Sequence, residues 1–90
     1  MKLIIDTLKI RSATVALGTF QKTSHDLLPL IEEALQENHI SVTDLTEITV
    51  NEGPGSFTGL RVGIAVANAL GLLLRIPVNG KKAIATPTYS

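Results

Sequence analysis

A turn rich in glycine and proline separates two apolar segments of this chain, and it limits the possible folds more than any other stretch. It runs Gly53-Pro54-Gly55-Ser56-Phe57-Thr58-Gly59. Gly53 and Gly55 can adopt backbone angles that are closed to other residues, and Pro54 stiffens the bend between them. The hydroxyl of Ser56 or Thr58 can accept a hydrogen bond from a free amide of the first helical turn. The sequence therefore predicts a strand that ends near residue 50 and a capped helix after the turn.

The same turn has an alternative interpretation as an anion site, because free amides and the helix dipole both favour negative charge at a helix N-terminus. The turn lacks the lysine of a P-loop, and its spacing departs from the Gly-x-Gly-x-x-Gly pattern of dinucleotide sites. It also departs from the Gly-x-Ser-x-Gly pattern of a nucleophile elbow. A structural turn is therefore predicted, with contact to an anion or nucleotide as the alternative.

Composition restricts the class of protein. Ninety residues with 44% hydrophobic content suit one small domain with a modest core. Eight basic and eight acidic residues give zero formal charge, and aromatic residues make up only 3%, which argues against autonomous nucleic-acid binding. The chain has no cysteine and no signal-peptide pattern, and its apolar runs are too short to cross a bilayer. A cytoplasmic location with no membrane contact is predicted.

Hydrophobic periodicity predicts an α/β domain with the element order β-β-β-α-β-α-β. A hairpin followed by βαβ crossovers implies a mixed sheet with helices packed against it. Thr23 or Ser24 is predicted to cap the first helix, which ends near Glu37. The predicted strands span residues 1–6, 12–17, 20–22, 45–50 and 76–79, and the second helix spans residues 57–74.

Small residues recur every four positions in the second helix, at Gly59, Gly63, Ala67 and Gly71. A glycine inside a helix costs roughly 1 kcal/mol relative to alanine, so this stripe requires a compensating close approach of another backbone. The stripe packs either on the protein's own sheet and first helix or on a helix of another subunit.

Isolated polar residues do not form a catalytic or metal-binding pattern. Asp6 lies at a strand end, where Glu52 is the only other candidate carboxylate, and one carboxylate cannot make a magnesium site. A turn or cap role is therefore predicted for Asp6. His25 and His39 lack the local spacing of a metal pair, so both are predicted to be surface residues. Arg61 either satisfies a local acceptor or reaches across an interface.

Several segments of the chain resemble a known family. They are Leu3-Ile4-Ile5-Asp6-Thr7, Val15-Ala16-Leu17, His25-Asp26-Leu27-Leu28-Pro29-Leu30-Ile31, Gly53-Pro54-Gly55-Ser56-Phe57-Thr58-Gly59-Leu60-Arg61-Val62-Gly63 and Ile76-Pro77-Val78-Asn79-Gly80. In this order they resemble the TsaB (YeaZ) family over nearly the whole chain. The resemblance implies an actin-like ATPase domain of the ribonuclease H-like type. It also implies a non-catalytic subunit without a cofactor, which partners the TsaD-like catalytic subunit that makes threonylcarbamoyladenosine in tRNA.

The helices are expected to form the partner interface, because both the small-residue stripe and the family resemblance point to them. A homodimer is expected in isolation, and contact with tRNA only through the complex. The alternative is a small nucleotide-binding phosphotransferase or hydrolase that uses Asp6, Glu52 and the turn from Gly53 to Gly59. The predicted interface residues are Leu27, Leu30, Ile31, Leu35, Gly59, Arg61, Gly63 and Ala67.

The chain departs from the family pattern in three places. The family carries a second domain, so residues 1–90 are expected to be a single domain matching the N-terminal half, with the second domain absent. Only Gly18 to Ser24 connect the second strand to the helix histidine, which implies a trimmed sheet edge. Leu8 and Ile10 replace small residues at the first turn, which makes phosphate binding there less favourable.

Overall fold

The computed structural model describes residues 1–9, 11–54 and 57–81. The order of strands and helices follows the prediction as far as the second helix, with one additional 3₁₀ turn at Val42–Asp44. The regular elements are β1 (Lys2–Asp6), β2 (Ala13–Leu17), β3 (Phe20–Ser24), α1 (Leu27–Glu37), β4 (Glu47–Val50) and α2 (Phe57–Leu74).

The four strands form one mixed sheet in the order β3-β2-β1-β4. β1 is antiparallel to β2, with Leu3 opposite Leu17, and parallel to β4, with Leu3 beside Ile48. β3 forms a hairpin with β2 and lies at the edge. A hairpin start followed by a parallel crossover is the topology that the sequence predicts.

The predicted last strand over residues 76–79 is wrong in its extent. Val78 forms a single parallel bridge with Ile48, and no regular strand follows it within residues 57–81. The backbone on either side of Val78 is paired, because Ile48 N–H donates to Pro77 O at 3.0 Å and Asn79 N–H donates to Ile48 O at 2.8 Å. Asn79 then adopts φ 54° and Gly80 φ 76°, and these positive angles end the extended conformation.

One face of the sheet carries the core. β1 alternates buried Leu3 and Ile5 with exposed Lys2 and Ile4, so the two faces of the sheet differ sharply. α1 packs against β2 and β3, and α2 packs against β1 and β4. The core residues that the helices contribute are Leu27, Leu30, Ile31, Ala34, Leu60, Ile64 and Ala67.

The boundaries of α1 differ from the prediction, whereas α2 spans the predicted range. Thr23 and Ser24 belong to β3, where they pair with Thr14 and Ala13, so neither caps α1. Asp26 is the N-cap residue, without a side-chain cap hydrogen bond. Pairing with β2 extends β3 beyond its predicted end and delays the start of the helix.

No helix in the described part of the chain combines the length and the apolar character that crossing a bilayer requires.

Candidate functional site

The start of α2 is pressed against the end of β1 through Thr7. The Thr7 side chain is 4% exposed, and its hydroxyl donates to Gly59 O at 2.6 Å. A Cβ on Gly59 would lie 2.3 Å from Thr7 O, and one on Gly63 would lie 2.3 Å from Thr7 Oγ1. Glycine is required at both positions because the end of β1 occupies the space that a side chain would fill.

The rest of the small-residue stripe also faces the protein's own interior. Ala67 is fully buried, and a Cβ on Gly71 would lie 2.5 Å from Val78 Cγ2. The structure therefore assigns the stripe to intramolecular packing, which is one of the two alternatives that the sequence leaves open.

Most of the predicted interface residues accordingly belong to the core. Leu27, Leu30 and Ile31 are buried in the core cluster, and Leu35 is partly buried against it. Gly59, Gly63 and Ala67 are buried as described above, so Arg61 is the exposed member of the set. The helical spacing of these residues identifies the face that packs on the sheet, and an interface on the helices has to use the opposite face.

That opposite face is apolar and exposed, and the sequence analysis missed it. Leu28 is 65% exposed, Val62 51% and Leu73 80%. A helix with apolar residues around its whole circumference is usually covered on all sides. The sequence of α2 has this composition, so it could have indicated a second covered face. We call this surface the outer helix face. It consists of the exposed residues Leu28, Val62, Ala65, Ala69, Leu72 and Leu73 and the partly buried Val66.

Two depressions lie where the N-terminal ends of α1 and α2 approach each other. One, of about 410 Å³, is lined by the outer-face residues Leu28, Val62 and Val66, together with Pro29 and Asp26. The other, of about 400 Å³, lies beside it under the turn between β1 and β2, and we call it the basic cavity. Its lining residues are Thr7, Lys9, Arg11, Ser12, Ala13, His25, Leu27, Thr58, Gly59 and Val62.

The carboxylates of the alternative enzymatic hypothesis are engaged in structural hydrogen bonds. Asp6 Oδ1 accepts from Leu8 N–H at 2.9 Å and from Asn51 Nδ2 at 3.4 Å, which confirms the predicted turn role of Asp6. The Glu52 carboxylate accepts from the Asn79 side-chain amide. No group of three or more potential metal-ligating side chains occurs within the described ranges.

Asn51 and Asn79 hold the segment before the glycine-rich turn, and neither was identified from sequence. Asn51 Oδ1 accepts from Gly53 N–H at 3.0 Å. The Asn79 amide pairs with both backbone groups of Val50, accepting from N–H at 2.8 Å and donating to O at 3.0 Å. The adjacent Asn79-Gly80 dipeptide is a turn signal that could have indicated a special backbone position.

The predicted turn motif is only partly described. Gly53 and Pro54 precede α2, whereas Thr58 and Gly59 lie within it, so Thr58 is not the N-cap residue. Gly55 and Ser56 lie outside the described residues. His25 and His39 are exposed, as predicted, and the His25 Nδ1–H donates to Arg11 O at 2.9 Å.

Comparison with solved structures defines the class of the fold. YeaZ from Pseudomonas aeruginosa superposes with a TM-score of 0.70 at 27% identity, covering 86% of this chain and 42% of that chain. The mixed sheet with its helices is therefore a domain of the actin-like, ribonuclease H-like ATPase fold.

Sequence comparisons give the family. The family model described as "TsaD: tRNA N6-adenosine threonylcarbamoyltransferase" matches residues 19–85. The tRNA threonylcarbamoyladenosine biosynthesis protein TsaB of Buchnera aphidicola (strain Bp) is 45% identical over 57% of this chain and 23% of its own length. TsaB of Bacillus subtilis is 33% identical over 76% of this chain and 31% of its own length. The chain belongs to this family and, within it, to its TsaB (YeaZ) members.

The chain spans between about a quarter and a third of the length of these two curated relatives, 23% and 31%.

Proposed function

We propose that this protein is a non-catalytic subunit of the tRNA threonylcarbamoyladenosine-forming machinery, and that it supports a TsaD-like catalytic subunit by binding to it. The proposal rests on family membership and on the exposed, apolar outer helix face. The relatives are named as biosynthesis proteins of this modification, so a place in the same pathway is the natural inference for this chain.

The outer helix face has the character of a protein-binding surface. Large exposed apolar patches on soluble domains are typical of interaction sites. Arg61 is the one charged residue within α2 from Phe57 to Leu74, so nearly the whole exposed side of that helix is apolar. Covering Leu72 and Leu73 with a partner would remove apolar area from water and favour association.

The residues behind this face make it a rigid platform. The buried stripe fixes α2 against β1, and Leu27, Leu30 and Ile31 fix α1 against the sheet. Pre-organised surfaces lose less conformational entropy on binding, which favours affinity. In the absence of the partner, we propose that the same face mediates a homodimer.

A supporting role fits the site better than catalysis. Asp6 Oδ1 accepts from Leu8 and Asn51, and the Glu52 carboxylate accepts from Asn79, which favours structural roles for both groups over the phosphotransferase or hydrolase alternative. We further propose that the chain acts in the cytoplasm and reaches tRNA only through its partner.

Co-purification with the TsaD-like protein of the same organism tests the proposed function. We expect Leu73→Arg to weaken the association strongly, because it places a charge within an apolar contact. A cation near a helix C-terminus does not oppose the helix dipole, so the monomer should melt as the wild type does. The matched control is Ile4→Arg, which introduces the same charge at an exposed apolar position on the opposite face of the sheet.

Retention of binding by Leu73→Arg together with an unchanged homodimer in sizing experiments would contradict the proposed interface. Loss of binding by both variants would show that the effect is not specific to the outer helix face.

A further inference from the structure

The basic cavity concentrates cationic side chains in a protein with zero formal charge. Lys9 and Arg11 are the exposed cations in its lining, His25 lies beside them, and no carboxylate lines it. Among the described residues, neither Lys9 nor Arg11 forms an ion pair, in contrast to Lys22, which binds Glu33 at 3.0 Å. The nearest acidic residues line other depressions: Asp26 lines the one beside the outer helix face, and Asp6 lines a third one together with Lys9 and Ser12.

The cavity is continuous with the outer helix face. His25, Leu27 and Val62 line both the basic cavity and the depression beside it. A protein that covers Val62 and Leu28 therefore reaches the mouth of the basic cavity as well. The apolar contact would exclude water from this mouth, and electrostatic attraction is stronger where water is excluded.

We propose that the basic cavity receives an acidic side chain of the partner that covers the outer helix face. This inference rests on the proposed function, because it names the feature by which the partner is recognised. Arg11 supplies a planar guanidinium that can bind a carboxylate through two parallel hydrogen bonds, and Lys9 adds a second positive charge. Hydroxyl groups of Ser12 and Thr58 lie in the same lining and can donate to the remaining carboxylate lone pairs.

The basic cavity also favours one orientation of the partner. Lys9 and Arg11 lie together in its lining, whereas the far end of α2 presents Leu72 and Leu73, with the exposed cation Arg75 just after the helix. A partner docked in the reverse direction would leave Lys9 and Arg11 without their acidic group. Two cations in one cavity thus favour one register and orientation, and they accelerate encounter.

The experiment measures the dissociation constant of the complex with the TsaD-like protein at low and at raised ionic strength. We expect Arg11→Glu to weaken binding about tenfold or more at low salt, with a smaller difference at high salt because mobile ions screen the charges. Lys9→Glu should behave in the same way. Lys2→Glu is the matched control, since it makes the same charge change on the exposed opposite face of the sheet.

The inference would be overturned if Arg11→Glu left the dissociation constant unchanged, or if Arg11→Glu and Lys2→Glu changed it equally. In either case, Leu73→Arg still tests the proposed function separately. Failure of the wild-type protein to bind the partner overturns both. Titration with inorganic phosphate provides a further arm. Saturable shifts of the amide resonances around Arg11 and Ser12, without an effect of Arg11→Glu on the complex, would identify a small-anion site and overturn the partner version. Thermal melting confirms that each variant is folded.

Discussion

Thr7 is the residue through which the first strand fixes the second helix. Its hydroxyl holds Gly59 O at 2.6 Å, and the space beside it is closed to a Cβ on Gly63. A Cβ at Gly63 would lie 2.3 Å from Thr7 Oγ1, which is too close for two non-bonded atoms. Any side chain at Gly63 must therefore displace either Thr7 or the helix. Stability at this point depends on the absence of a side chain.

We predict that Gly63→Ala destabilises the protein by about 1–3 kcal/mol, the usual cost of overpacking a core. This loss should appear even though alanine has the higher helix propensity, by about 1 kcal/mol. A double-mutant cycle with Thr7→Ala, followed by urea denaturation, measures the coupling. We expect the two changes together to cost less than their sum, because Thr7→Ala removes the atoms that Gly63→Ala would meet.

Ala69→Gly provides the control for propensity, since Ala69 is exposed on the same helix. It should cost about 1 kcal/mol. A strictly additive cycle would show that Thr7 does not limit the space at Gly63.

Residue spacing predicted the close approach along α2 but could not identify what approaches. Periodicity in Gly59, Gly63 and Ala67 shows only that small residues share one side of the helix. Whether a strand or another subunit covers that side depends on residues far along the chain, here Thr7 and Val78. The basic cavity was hidden for the same reason, because Lys9, Arg11 and His25 meet only after β1, β2 and α1 have packed.

At the scale of elements, the sheet continues beyond β4 through one backbone bridge and one side chain instead of a full strand. The Asn79 amide occupies the place of a backbone peptide opposite Val50, with hydrogen bonds of 2.8 and 3.0 Å. The same amide donates to Glu52, so one residue holds both the edge of β4 and the start of the turn. Asparagine tolerates the φ of 54° found here better than most residues do.

We predict that Asn79→Gly destabilises the protein by about 1–3 kcal/mol, because it leaves partly buried backbone groups of Val50 without partners. Glycine keeps the positive φ accessible, so this variant isolates the lost hydrogen bonds. Asn79→Ala should cost roughly 1 kcal/mol more, since it adds the strain of a Cβ in the left-handed region. Urea denaturation of both variants checks the order. Equal stability of Asn79→Gly and the wild type would mean that the side-chain pairing contributes nothing.

Element boundaries were predictable where the local signal was strong. α2 spans the expected Phe57–Leu74, because the glycine-rich turn and a long apolar run define both of its ends. The start of α1 was not predictable from capping residues, since Thr23 and Ser24 pair with β2 and are therefore part of a strand. The strand expected over residues 76–79 was placed beside the correct neighbour, but the positive φ of Asn79 shortened it to one bridge.

At the scale of the whole molecule, the two surfaces of the sheet have different roles. Both helices cover one face, and the opposite face exposes Lys2 and Ile4. The outer helix face adds a third surface, which is apolar and continuous with the basic cavity. The formal net charge of the chain is zero.

We predict that the isolated protein does not bind tRNA appreciably at about 0.15 M salt, because non-specific affinity for nucleic acid depends on the number of phosphates that cations neutralise. Binding should appear when the TsaD-like partner is added. Fluorescence anisotropy of labelled tRNA measures both cases. Tight, salt-sensitive binding by this protein alone would contradict the prediction.

The two ladders of β1 have different consequences for synthesis on the ribosome. Its pairing with β2 joins Leu3 to Leu17, whereas its pairing with β4 joins Leu3 to Ile48. Loop closure takes longer for the second ladder, and the chain is made from its N-terminus. The β1–β2–β3 meander therefore emerges with one edge of β1 open until β4 is synthesised. Unpaired edges recruit other strands, so we expect nascent chains that stall before Glu47 to be the form of this protein most in need of a chaperone.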